Sequence, residues 1–171
     1  MHANLQSCWL QLETAIAGLD DGLAAIRVDG RWSIAEIVEH LDRTYSGTTK
    51  GLERCHEAGA TRVTAPHLRG RWRRFVVVTL GWFPKGIAAP RHVLPSGEAP
   101  LSTVMVRARQ HLGELDATLV RATERFGAVA VLDHPLLGPF TIADWARFHR
   151  VHTRHHCAQI GERRGRLAPP G

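Results

Sequence analysis

The chain reads as all-α, a four-helix bundle, on three observations. Four long segments repeat their apolar residues with a helical period, and capping signals open or close several of them. β-branched residues form no alternating runs, and Tyr occurs once in 171 residues. Long connections rich in Pro and Gly separate some of these segments, as expected of helices joined by loops.

The first segment runs from about residue 4 to 25, where Leu5, Trp9, Leu12, Ile16 and Leu19 keep the period. Asp29-Gly30 breaks the chain. Ser33 with Glu36 three residues on is a capping box. The helix it opens carries Ile34, Ile37, Val38, Leu41, Tyr45, Thr48 and Leu52 on one stripe and runs to about Ala58, where Gly59 suits a stop. Residues 60 to 71 read as a connection. Arg71 to about Lys85 is mostly apolar and predicts a buried third helix that Pro84 ends or bends. Residues 86 to 101 hold three prolines and two glycines and predict an irregular loop.

Ser102 is a candidate cap for a helix with Val104, Ala108, His111, Leu112, Leu115 and Leu119 inward, ending near Phe126. A short stretch, Ala128 to Leu132, and a loop over residues 134–139 follow. Thr141 caps the last helix, with Asp144 at its third position. The domain is placed at residues 1–162. Residues 163–171, basic and then rich in Pro and Gly, read as a frayed tail.

The formal charge of +6 comes almost entirely from Arg, with Lys only at positions 50 and 85. This raises nucleic-acid binding as a candidate, but no helix-turn-helix or zinc-finger pattern accompanies it, and an Arg-biased surface accounts for the charge. Arg71-Trp72-Arg73-Arg74 mixes basic and aromatic residues and suits phosphate, stacked bases or an acidic cofactor. Cys8, Cys55 and Cys157 are scattered, without a C-x-x-C pair, which fits a reducing cytoplasm rather than a disulfide framework or a zinc ribbon. No secretory leader is recognised, and Phe75 to Phe83 is too short to span a membrane. No Walker A, G-x-S-x-G or H-E-x-x-H pattern occurs.

The chemistry concentrates near the C-terminus, where His149, His152, His155 and His156 fall within eight residues. At 100° per residue, His149, His152 and His156 share a sector of roughly 60°, beside Ile142, Trp145, Ala146 and Ile160, while His155 points away to the surface. Imidazoles four apart can reach one metal ion. Buried packing alone is a poor account of three rings that each need a donor and an acceptor satisfied. Such a site needs three or four ligands. His40, at the edge of the apolar stripe beside Thr44, is the candidate from elsewhere. His149, Thr44 and Trp145 are the candidate pocket lining. Cys157 points about 100° off the metal face and reads as packing.

The stretch His152-Thr-Arg-His-His156-Cys-Ala-Gln159-Ile resembles the last-helix motif of the DinB/YfiT-like superfamily, with histidines four apart and a Gln three residues later. Trp32-Ser-Ile-Ala-Glu-Ile-Val-Glu-His40-Leu41 resembles that family's other signature, a Trp-Ser/Thr opening followed by His-Leu. The resemblance covers about residues 5 to 162 and is closest to an uncharacterised branch. It implies up-down-down-up connectivity and a divalent metal, zinc or nickel, on His40, His152 and His156. It further implies a low-molecular-weight thiol cofactor, a small-molecule substrate and a homodimer; the residues themselves point to neither membrane nor nucleic acid as partner. The function expected is a metal-dependent thiol S-transferase or hydrolase. A non-catalytic metal-binding stress-response bundle is the competing reading, and a nucleic-acid-binding module a third. His149 and the Pro/Gly loop depart from the family pattern.

Overall fold

The computed structural model describes residues 2–65, 72, 74–82 and 89–167. Helix α1 spans Ala3–Ile16, α2 Asp21–Ala25, α3 Ile34–Ala58, α4 Leu101–Phe126 and α5 Ile142–Leu167. Between α4 and α5 lies a hairpin of β1, Ala130–His134, and β2, Gly138–Thr141.

The expected first helix is two helices. Gly18 takes a left-handed φ of 75°, which ends α1, and the Asp20 carboxylate accepts from the Leu23 N–H to start α2. Helix α3 follows the sequence closely. Ser33 and Glu36 form the capping box, Gly59 closes the helix at φ 62°, and every residue of the predicted stripe is buried. Of the third predicted helix, the described residues show helical Trp72 and Arg74 and then a π-helical turn, Phe75–Thr79, with Val77 and Val78 inside. Gly81, at φ 68°, turns the chain before Pro84. Arg71, Arg73 and residues 83–85 lie outside the described residues, as do 86–88 of the predicted loop. From 89 to 100 that loop is irregular apart from one 3₁₀ turn, Arg91–Val93.

Ser102 is not a cap. Helix α4 starts two residues earlier, with Pro100 at the cap position, and Ser102 instead donates its N–H and hydroxyl to Asp21, both at 2.8 Å. The predicted short stretch and loop become the antiparallel hairpin, because Leu132 to His134 pair with Gly138 to Phe140. Arg62 adds a bridge beside Leu132. Thr141 and Asp144 cap α5 reciprocally. That helix continues through Arg163 to Leu167, five residues beyond the predicted domain end; residues 168–171 lie outside the described residues.

Side-chain pairs give the helix directions. Asp42 meets His111, Glu53 reaches Thr118 and Arg121, and Gly59 abuts Arg125, so α3 and α4 run parallel. Tyr45 meets Thr153, and Thr48 meets His149, while Trp32 lies beside Arg163, so α5 runs antiparallel to α3. Arg164 caps the carbonyls of Ala15 and Ala17 at the end of α1, so α1 runs parallel to α5. The bundle is therefore up-down-down-up. The crossover from α3 to α4 must travel the length of the bundle, and on its way it passes the seam between α3 and α5. Among the described residues, no helix is long and apolar enough to cross a membrane.

Candidate metal centre

The antiparallel seam sets one histidine from the first half of α3 against two from the middle of α5. His40, His152 and His156 are all buried, and their ligand nitrogens lie within 4.8 Å of one another. His152 Nε2 stands 3.0 Å from His156 Nε2 and 3.3 Å from His40 Nε2. Two nitrogens bound to one tetrahedral ion at about 2.0–2.1 Å stand about 3.3 Å apart. Two of the three nitrogen pairs are thus already near the spacing that a shared ion requires.

Protonation supports the same arrangement. Burial pushes all three imidazoles below their usual range, helped by the neighbouring rings, and takes His156 down to about 3. Neutral imidazole is the ligating form. The tautomer is set at two of them. His40 Nδ1 lies 2.9 Å from the Val93 carbonyl and His156 Nδ1 lies 2.8 Å from Gln159 Oε1. Both partners accept only, so the proton sits on Nδ1 and the Nε2 lone pair is left for an ion. Trp32 packs on the His40 ring at 5.1 Å, and Phe148 stacks on His152 at the same distance, fixing ring orientation. The donor set therefore fits a borderline divalent ion such as zinc or nickel.

The Val93 carbonyl is held by a second device. Glu39, one residue before His40, receives the N–H and hydroxyl of Ser96 and the N–H of Gly97, at 2.9 to 3.0 Å, and Arg43 from one turn on. Burial alone would raise this carboxyl. The hydrogen bonds from Gly97, Ser96 and Arg43 outweigh it and bring it down to about 2. Glu39 thereby pins the crossover against the start of α3.

A cavity of about 600 Å³ opens from the histidines, between α3, α5, the crossover and the hairpin. Thr44 and Trp145 border it. His149 does not. It is fully buried behind the wall with Nε2 3.1 Å from Thr48 Oγ1, because its turn of α5 packs against Tyr45 in the core. His155 is half-buried and lines the cavity rather than facing bulk solvent, since the Gln159 amide bridges it to His156. Cys157 packs beside the core, and burial lifts its thiol to about 11, which makes it a poor nucleophile.

Asp133, His134 and Arg163 are among the lining residues that the sequence does not single out. Asp133 and His134 arrive on the hairpin; burial takes His134 down to about 4, and its Nδ1 accepts the Leu136 N–H. Arg163 belongs by composition to the basic tail, yet it falls on the same helical face as His149, His152 and His156. Extending the wheel by one more turn finds it.

A family model described as the DinB superfamily matches residues 4–160. The chain belongs to that superfamily. Comparison with curated proteins and with solved structures returns no match.

Proposed function

We propose that this member of the DinB superfamily holds one divalent cation, zinc or nickel, on the Nε2 atoms of His40, His152 and His156. On this reading it acts as a metal-dependent transferase or hydrolase on a small molecule in the adjoining cavity. The observation that carries the reading is the convergence of three buried, neutral imidazoles, two of them with Nδ1 committed to an oxygen acceptor. The ion, when bound, would supply Lewis acidity and make a thiol or water nucleophilic at neutral pH. The chain's own residues do the rest. Val93 and Gln159 orient the rings. Trp32, Phe148 and Trp145 keep the walls apolar and exclude water, and His134 Nε2–H is a donor available to a ligand. A low-molecular-weight thiol is the co-substrate class we assign to the transferase version. A sequestration role needs no substrate-sized cavity beside the ion, so the cavity favours the enzyme.

Metal analysis of the purified protein tests the site. The wild type should carry one ion per chain. His156→Ala should lose it, while His155→Ala should keep it, because His155 lies outside the converging set. Equal loss from both variants, or stoichiometric metal in His156→Ala, would overturn the assignment. A conjugation screen with several thiols on the loaded protein then tests the transferase.

A further inference from the structure

Arg163 is a buried cation with no counter-ion among the described residues. It is 6% exposed and lines the same cavity as the three histidines. Among the described residues its guanidinium has one hydrogen bond, from Nε to the Trp32 carbonyl at 3.3 Å, and no carboxylate partner. Glu36 pairs with Arg27, Asp29 with Arg166, and Glu39 with Arg43, while Asp133, which lines the same cavity, is held by the N–H and hydroxyl of Thr64. The residues outside the description add no acidic side chain. The rest of the side chain is packed away while the two Nη groups open into the cavity, so an anion that enters there meets a partly desolvated guanidinium with donors to spare.

We propose that Arg163 forms the anion-binding end of the cavity and takes the carboxylate of a small organic acid. With Nε on Trp32, the two Nη groups remain, a two-point face that matches the two oxygens of a carboxylate. A dianionic phosphate would keep one charge unmatched. Arg163 stands seven residues past His156 on one face, on the order of 10 Å along the axis, and side chains on a helix lean toward its N-terminus. The guanidinium thus leans toward the histidines. Trp32, Val93, Leu136 and Phe148 supply apolar wall along the cavity. The ligand is accordingly a carboxylate with a short apolar body, its far end directed at the histidines. Only this last feature rests on the metal reading.

The probe is hexanoate, with hexanamide as its uncharged counterpart, titrated calorimetrically into the chelator-treated chain and the zinc-loaded chain. Hexanoate should bind both forms about tenfold or more tighter than hexanamide, as charge-assisted bonds to a buried guanidinium imply. Arg163→Gln should erase the preference, and Arg163→Lys should retain part of it. If Arg163→Gln does not fold, the wild-type comparison and Arg163→Lys still decide. Equal binding of the two probes, or an undiminished preference in either variant, would overturn the proposal. So would a preference that appears only with zinc, which would put the carboxylate on the ion. A chain that binds no metal but keeps the preference would sink the metal reading and leave this one standing.

Discussion

Replacing Glu39 by Gln tests how the crossover is fastened over the candidate site. Glutamine keeps the shape of the side chain but not the charge of the carboxylate. The Glu39 carboxyl falls from 4.5 to about 2 on folding. Because the folded state prefers the charged form, this stabilisation is fully present above pH 4.5 and disappears as pH falls toward 2. At 1.36 kcal/mol per unit, it amounts to about 3 kcal/mol at pH 7, about 1.4 kcal/mol at pH 3 and below about 0.5 kcal/mol at pH 2. Urea unfolding of wild type and Glu39→Gln across this range should therefore give a stability gap that is widest at neutral pH and closes on acidification. The same substitution should loosen His40, since Ser96 and Gly97 set the position of Val93, and metal affinity should drop about tenfold or more. A gap independent of pH, or one below about 1 kcal/mol at pH 7, would refute the idea that the carboxylate fastens the crossover.

Two further substitutions probe the buried polar atoms of the core. His149 is held neutral by burial, with its folded value near 3 against 6.5 when unfolded, so protonation of the unfolded chain lowers stability as pH falls below 6.5. His149→Phe should remove about 2 kcal/mol of that acid sensitivity at pH 5, read as a flatter stability profile between pH 8 and pH 5; an unchanged slope would contradict it. Tyr45→Phe removes the hydroxyl that lies 2.6 Å from Thr153 Oγ1 in the closed core and should cost about 1–2 kcal/mol in thermal or urea unfolding, with metal content unchanged.

How much of this is legible in the sequence depends on where the deciding force is local. Helix α3 can be read end to end because its capping box, its apolar stripe and Gly59 all act within a few residues. The three converging histidines are legible too, two by their spacing and His40 by family resemblance. Local chemistry also decides the break at Gly18, where the apolar period runs on past a glycine and a capping Asp. The hairpin is hidden for another reason. Its strands are short, and their pairing with each other and with Arg62 is a tertiary event. Asp133 and His134 owe their place in the cavity to that pairing. His155 is displaced from its expected exposure by the Gln159 bridge and by the cavity opening on its side of α5. Composition misleads at Arg163: a basic run before Pro and Gly looks like a tail, while its helical phase puts it inside.

The parallel pairing of α3 with α4, and of α1 with α5, has a consequence for the integrity of a cut chain. The two principal seams each join one helix that precedes the crossover to one that follows it. A protease that nicks the crossover would therefore separate the chain on paper only: each fragment would keep two helices whose main packing partners sit on the other fragment. The histidines are divided in the same way, His40 on one piece, His152 and His156 on the other. The nicked protein is expected to run as one particle in native conditions and as two bands once denatured, and the halves, made separately, to find each other by complementation. An ion across the seam would then act as a clasp between two polypeptides, tightening their association by mass action.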